Sequence, residues 1–271
     1  MYRVLHDLAA DRGIPLLHGK RLVSATGADG GVVARFEDGT SARGDLLIGA
    51  DGLHSSVRPI IDPAAPSPRF TGLSIAYGYT RATSFEPSSS AYRMISGHEA
   101  FFGYTTAPDG ETWWFSRAPG VDLPDVTKEM FVRLLTSDDT PAAEIVRSTD
   151  SPFFSNSYDV PSTPRWHNSV MVLVGDAAHA ASPAAGQGAS MALEDSVILA
   201  KCLRDIAGVP AAFERYTGIR RARVERLVAM SAATAAGSPP AKSAADQGND
   251  RDWLYRHHID WDSPVSGFDP R

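Results

Sequence analysis

One cysteine, Cys202, stands in 271 residues, so no intramolecular disulfide can form and a secreted disulfide scaffold is excluded. A reducing, cytoplasmic setting is the expectation that follows. No apolar run approaches the roughly 18 residues of a membrane-spanning helix, and Met1 is not followed by a basic stretch and an apolar signal core. Contact with a membrane is not expected. Positive charge is also short: 26 Lys and Arg against 32 Asp and Glu leave a net charge of -6, which gives no general footprint for nucleic acid. The strings G-x-S-x-G, G-x-x-x-x-G-K-[ST] and H-E-x-x-H do not occur. His54, His257 and His258 lack metal-ligand spacing with other ligand types, so no metal site is expected.

What is present reads as an ordinary soluble globular chain, with 43% hydrophobic and 21% charged residues. Val4, Leu5, Leu8, Ala9 and Ile14 carry helical spacing up to Gly13, which can serve as a left-handed stop. Residues 15–18, 21–26 and 32–37 read as strands, with Asp38-Gly39 as a hairpin turn. The run Asp45-Leu-Leu-Ile-Gly-Ala-Asp51 looks like a buried strand arriving at a turn. Residues 72–83, 91–96, 100–107 and 112–117 are aromatic and β-branched, and predict an antiparallel subdomain with a turn at Pro108-Asp109-Gly110. Its sheet is either a plain packing surface or a ligand-binding face. Helices over 126–135 and 142–147 close it, and the whole is a mixed α/β (α+β) fold.

The stretch from Val170 to Asp205 carries the most chemistry. Val170-Met-Val-Leu-Val174 is a strand-length apolar run that ends at Gly175-Asp176, where a parallel strand meets a turn. A helical pattern follows the small residues Ala184, Ala185, Gly186, Gly188 and Ala189, with Leu193, Val197, Ala200, Leu203 and Ile206 predicted on one face. Such a helix start lets a flat ligand approach free backbone N–H groups and the positive end of the helix dipole. Gly208 and Pro210 punctuate the next helix, which runs to about Ala236. Its Arg220, Arg221, Arg223 and Arg226 read as a solvated cationic face.

Asp-Gly or Gly-Asp after a strand is a common turn. Here, however, Asp45-Leu-Leu-Ile-Gly-Ala-Asp51-Gly52-Leu-His-Ser55-Ser56-Val-Arg58 precedes Val172-Leu-Val-Gly175-Asp176-Ala-Ala-His179 and Pro183-Ala-Ala-Gly186-Gln187-Gly188-Ala189-Ser190, with the two acidic residues about 125 positions apart. These strings resemble the DG and GD motifs of group A flavoprotein hydroxylases, the para-hydroxybenzoate hydroxylase class. The resemblance implies FAD as cofactor, NADH or NADPH as electron donor, and O2 as co-substrate. Hydroxylation of an aromatic or polyketide-like small molecule would proceed through a flavin hydroperoxide, with no catalytic side chain required. It implies that Asp176 accepts from the ribityl chain, that Gly175 allows close approach, and that Pro183, Gly186, Gln187, Gly188, Ala189 and Ser190 flank the isoalloxazine. It places Asp51 and Gly52 near the pyrophosphate and the nicotinamide nucleotide, with Arg58 ending that motif. Tyr77, Tyr79, Phe102, Tyr104, Trp113 and Phe115 are candidate substrate-pocket walls. His179, which has no partner visible in the sequence, reads as a packing residue beneath the flavin loop.

Two departures qualify the resemblance. The family opens with a strand, a G-x-G-x-x-G turn and a helix that hold the pyrophosphate, and no such string occurs; Gly27-Ala-Asp-Gly30-Gly31 has the wrong spacing. The reading is therefore an incomplete Rossmann-like FAD/NAD(P)-binding domain over 1–68 and 151–236, a sheet domain for substrate over 69–150, and a tail over 237–271. In that tail a linker leads to an aromatic anchor around Trp253 and Trp261. A missing N-terminal segment or a partner chain would complete it, and weak FAD affinity would be the consequence without one. Where the family often has Asn, this chain has Ser190. The alternatives are a catalytically incompetent fragment with a structural or partner-binding role, and an epoxidase or dehydrogenating flavoprotein on the same scaffold.

Overall fold

The computed structural model of the chain describes residues 2–28, 30–82, 85–87, 91–120, 126–235 and 252–267. Helix α1 (Tyr2–Asp11) stops where Gly13 takes φ 69°. The N–H of Gly13 bonds the Ala10 carbonyl and that of Ile14 bonds Ala9, the paired contacts that satisfy a helix's last carbonyls. No residue of α1 is buried, and Tyr2, Val4, Leu5 and Leu8 are exposed. Residues 15–18 form no strand: Pro15 brings no N–H to a ladder, and Leu16 and Leu17 face solvent. Strands β1 (Leu22–Ala28), β2 (Gly31–Phe36) and β3 (Ser41–Gly44) make an antiparallel sheet, with the β2–β3 turn at Gly39. β3 has no sequence signal, since its four residues are polar or small and all exposed.

Strand β4 (Leu47–Gly49) runs parallel to a later strand, β10 (Met171–Leu173). All three residues of β10 are buried, as its apolar run implies. β4 is less buried than its sequence suggests, because β10 is its one paired neighbour among the described residues and Ile48 faces out. A Cβ on Gly49 would lie 2.8 Å from Val57 Cβ and 2.9 Å from Leu173 Cδ2. Glycine there lets helix α2 (Val57–Ile61) sit directly on the parallel pair.

Strands β5 (Arg69–Thr80), β6 (Arg93–Ser96), β7 (Phe101–Thr106), β8 (Thr112–Pro119) and β9 (Phe153–Asp159) form a second sheet in the order β6-β7-β8-β5-β9, antiparallel throughout. The end of the first strand expected here, Thr83, lies outside the described residues. β9 pairs with β5 from Ser74–Asn156 to Tyr77–Phe153, so the chain stays in this sheet past the division drawn at 150 and 151. Helices α3 (Lys128–Thr136) and α4 (Ala142–Arg147) cover one face, over a core of Phe102, Trp114, Phe131, Leu135, Ile145 and Val146. The other face leaves Tyr77, Tyr79 and Met94 exposed.

After β10 come the short helix α5 (Asp176–His179), a 3-10 turn (Pro183–Ala185), helix α6 (Gly188–Asp205) and helix α7 (Val209–Ala235). The buried stripe of α6 is Met191, Asp195, Ile198, Leu199, Lys201 and Cys202, not the face predicted from its leucines; Leu193 and Ala200 face out. Periodicity misplaces the face because two of its inward positions are charged. Of the four α7 arginines read as a solvated face, only Arg226 is exposed. Arg220 and Arg223 are buried against Glu194 and Asp195, and Arg221 bonds the carbonyls of Thr163 and Pro164.

The tail docks on these two helices through cations. Lys201, wholly buried, donates to the carbonyls of Asp260, Trp261 and Ser263. Arg204 lies 4.5 Å from the centre of the Trp261 ring and Arg226 lies 4.2 Å from that of Trp253. The linker over 236–250 lies outside the described residues. Among the described residues no helix is long and apolar enough to cross a membrane.

Burial raises the Cys202 thiol to about 11, with Arg215 and Lys201 opposing and Asp205 reinforcing it. The thiolate is the reactive form. Cys202 is therefore expected to resist iodoacetamide in the folded chain at pH 8 and to react once the chain is unfolded in guanidinium; mass spectrometry reads both. Rapid labelling of the native chain would contradict this burial.

Candidate functional site

Because β4 and β10 are adjacent and parallel, the turns that follow them open side by side at the carboxyl ends of the strands, where ligands of α/β sheets bind. In the first turn Gly52 takes φ 76°. The Asp51 carboxylate accepts from Ser55 Oγ at 2.5 Å and from the backbone N–H groups of Ser56 at 2.7 Å and Val57 at 3.1 Å. It thus caps the start of α2. Arg58 is buried, and its guanidinium donates to the carbonyls of Ala177 at 3.0 Å and Leu53 at 2.7 Å. Burial lowers its pKa and the charge of Asp51 opposes that shift. Arg58 therefore braces one turn against the other.

In the second turn Gly175 takes φ 58° and ψ -142°, a region open to glycine and strained for other residues. The next side chain, Asp176, has no hydrogen-bond partner among the described residues. Its Oδ1 lies 3.7 Å from the position a Cβ on Gly188 would occupy, close against the first turn of α6. The pKa of Asp176 is raised because the surrounding protein removes water from it, with His179 opposing and Asp195 adding to the shift. Gly186 ends the 3-10 turn at φ 64°, ψ 24°. Gln187 supplies no side-chain cap to α6, whose first backbone bond runs from Met191 N–H to the Gln187 carbonyl. The N–H groups of Gly188, Ala189 and Ser190 are thus left without intrahelical acceptors, beside a free carboxylate.

The Pro183–Ala185 turn faces the sheet across a cavity of about 270 Å³, lined by Ile75, Tyr77, Met94, Phe101, Phe115, Arg117 and Gly186 among others. Tyr77 and Phe115 of the predicted walls lie on it, and Tyr79 and Trp113 lie one strand step further along the same face. Phe102 and Tyr104 do not line it. They point to the opposite face, into the core beneath α3 and α4, because alternation along β7 sends Phe101 one way and Phe102 the other.

Sequence reading missed Arg117 and Asp195. Arg117 donates to the Ala184 carbonyl at 2.8 Å and lies 4.4 Å from the centre of the Phe101 ring, so it ties the sheet to the 3-10 turn. Its pKa is lowered by burial, and it makes no ion pair among the described residues. Its place two positions after Phe115 and four after Trp113 was the available signal. Asp195, wholly buried, accepts from Gly175 N–H at 2.8 Å and Arg220 Nε at 2.7 Å, and contacts His179 Nε2 at 2.5 Å. His179 is buried as expected, packed on Trp166, but it has a partner, which lies 16 residues downstream and is invisible to local pattern.

Comparison with known proteins agrees with this geometry. The FAD binding domain family matches residues 1–231. The chain is 34% identical over 239 residues to the aurachin C monooxygenase/isomerase of Stigmatella aurantiaca, covering 84% of this chain and 60% of that protein. It is 29% identical over 220 residues to the FAD-dependent urate hydroxylase of Klebsiella pneumoniae subsp. pneumoniae, covering 78% and 56%. Among solved structures, Klebsiella pneumoniae HpxO complexed with FAD and uric acid superposes with TM-score 0.76 at 25% identity, over 86% of this chain and 61% of that one. A salicylate hydroxylase substrate complex gives 0.75 at 22% identity, over 97% and 73%. The chain spans about 60% of the length of the curated relative first compared. By the family match, the paired turns and the relatives, the chain belongs to the FAD binding domain family, among the flavoprotein hydroxylases of the para-hydroxybenzoate hydroxylase class.

Proposed function

We propose that the chain serves an FAD- and NAD(P)H-dependent monooxygenase that hydroxylates an aromatic or polyketide-like small molecule with O2. The observation that supports this most directly is the unpartnered Asp176 carboxylate beside the open N-terminus of α6, with the preceding Pro183–Ala185 turn lining an apolar cavity. The donor set fits FAD: a carboxylate to accept ribityl hydroxyls, small residues that admit a flat ring, and free N–H groups to hold negative charge at the ring edge. Bound FAD supplies the acceptance of hydride from NAD(P)H and the activation of O2. The chain's own residues orient and enclose. Tyr77, Phe101 and Phe115 give the cavity an apolar wall that keeps water away, and Arg117 offers its remaining N–H donors to a phenolate, carboxylate or carbonyl oxygen of the substrate.

Titration of the purified chain with FAD, followed by flavin fluorescence, tests the reading. Saturable one-to-one binding is expected, followed by NAD(P)H oxidation stimulated by phenolic acids; absence of binding would overturn the cofactor assignment for this chain.

Asp176→Asn gives a sharper expectation. Hydroxyl donors favour the ionised acceptor, so FAD affinity should fall about tenfold or more, the scale of a hydrogen bond to a charged group. The sign for stability is opposite. A carboxyl whose folded pKa is raised favours the fold while protonated, and that contribution is lost as pH rises through the raised value. At neutral pH the FAD-free Asp176→Asn chain should therefore melt slightly higher than the parent, and the parent's FAD affinity should climb as pH rises through the raised pKa of this carboxyl. Unchanged affinity in the variant would remove Asp176 from the cofactor site.

A further inference from the structure

Three elements converge on one buried carboxylate. Asp195 of α6 accepts from the Gly175 N–H at the end of β10 and from Arg220 Nε of α7, and meets His179 Nε2 at the end of α5. Both Asp195 and Arg220 are 0% exposed and His179 is 5% exposed, so no water competes for these bonds. An ionised carboxylate only accepts, so His179 must present Nε2–H to it. The contact to Gly175 turns that N–H inward and leaves the following residue, Asp176, directed outward without a partner.

We propose that Asp195 is a positioning residue for the cofactor site: it clamps the Gly175 turn from below and so fixes the direction of the Asp176 carboxylate. The proposal rests on the reading of Asp176 as the ribityl acceptor given above. Asp195 touches no ligand itself. Its effect passes through the backbone of Gly175 and through His179, which pins the far end of α5 to the same oxygen that holds Gly175.

Asp195→Asn keeps the shape and removes one acceptor. The Arg220 cation claims the remaining oxygen, so the amide NH2 faces Gly175 and His179. The Gly175 N–H then has no acceptor, while His179 can recover by shifting its proton to Nδ1 and accepting at Nε2. The test is nitrogen-15 NMR of the histidine rings, with amide exchange of Gly175 and FAD titration of the same samples. The parent should show His179 as the Nε2–H tautomer and a slowly exchanging Gly175 amide. Asp195→Asn should show the Nδ1–H tautomer, a fast Gly175 amide, and FAD affinity weakened about tenfold with Asp176 intact.

A parent chain with His179 as Nδ1–H, or with a fast Gly175 amide, overturns the clamp without any variant. A variant that changes tautomer but binds FAD like the parent overturns its role in positioning. If Asp195→Asn does not fold, the charge-balanced Asp195→Leu, Arg220→Met chain, which offers the Gly175 N–H no acceptor, takes its place with the same expected outcomes for Gly175 and FAD. Should the parent bind no FAD, the cofactor reading fails and the two NMR signals still decide the clamp.

Discussion

Arg220→Ala is expected to lower the unfolding free energy by about 3–5 kcal/mol, the range found when one partner of a buried ion pair is removed. The guanidinium is 0% exposed and uses all three nitrogens: Nε to Asp195 at 2.7 Å, NH1 to Glu194 at 2.6 Å and NH2 to the Met191 carbonyl at 3.3 Å. Its loss leaves the Asp195 carboxylate in the interior without its cationic partner, held by His179 and a backbone N–H. Arg220→Lys should recover only part, because a single ammonium cannot reproduce three bonds in a fixed fork.

The same variant should alter the acid limb of stability. Burial pushes the Asp195 carboxyl up, but the His179 hydrogen bond and charge and then Arg220 outweigh it and hold the pKa below its ordinary value. Glu194 is also lowered, with burial opposed by Arg223 and Arg220. Depressed carboxyls stabilise the fold above their unfolded values of about 4, and that contribution is lost as pH falls through the folded values. With Arg220 gone, both carboxyls lose part of that depression, so less stability should be lost between pH 7 and pH 3 than in the parent: the acid limb should start from a lower plateau and be shallower. Urea unfolding at pH 7 and melts from pH 3 to 7 measure the two effects; a change under about 1 kcal/mol with an unchanged acid limb would mean that the pair is not the buried link described.

These buried charges also mark where sequence reading stopped. The elements that carry apolar runs or punctuated alternation, such as β10, β8 and the helix stop at Gly13, were legible because their burial follows a period. The face of α6 was not, because Asp195 and Lys201 sit on it and a hydrophobicity pattern assigns charges outward. The α7 arginines were misread for the same reason: their partners, Glu194 and the Trp253 segment, lie about 30 residues away. The paired turns were legible as strings, yet only the fold shows that Asp51 caps α2 and Arg58 braces Ala177, while Asp176 is left open. β9 escaped because Phe-Phe-Ser-Asn-Ser-Tyr-Asp carries no clean alternation and owes its place to β5.

Gly175→Ala is expected to be the costliest single methyl at the site, destabilising the chain by about 1–3 kcal/mol from backbone strain alone. At φ 58° and ψ -142° a side chain is strained whatever the space around it. The space is also short, since the new Cβ would lie 3.0 Å from Ala192 Cβ on α6. The turn can relieve both only by rotating, and rotation draws the Gly175 N–H from Asp195 and re-aims Asp176. FAD affinity should therefore fall by more than about tenfold, in step with the lost alignment. Gly218→Ala is the control that separates strain from bulk. Gly218 lies within α7 with nothing within 4 Å of its would-be Cβ, so the same methyl should stabilise by up to about 1 kcal/mol through helix propensity and leave FAD binding unchanged. Parent-like stability and FAD affinity in Gly175→Ala would mean that the turn adopts an ordinary backbone conformation in solution, and the argument that aims Asp176 at a ligand would lose its base.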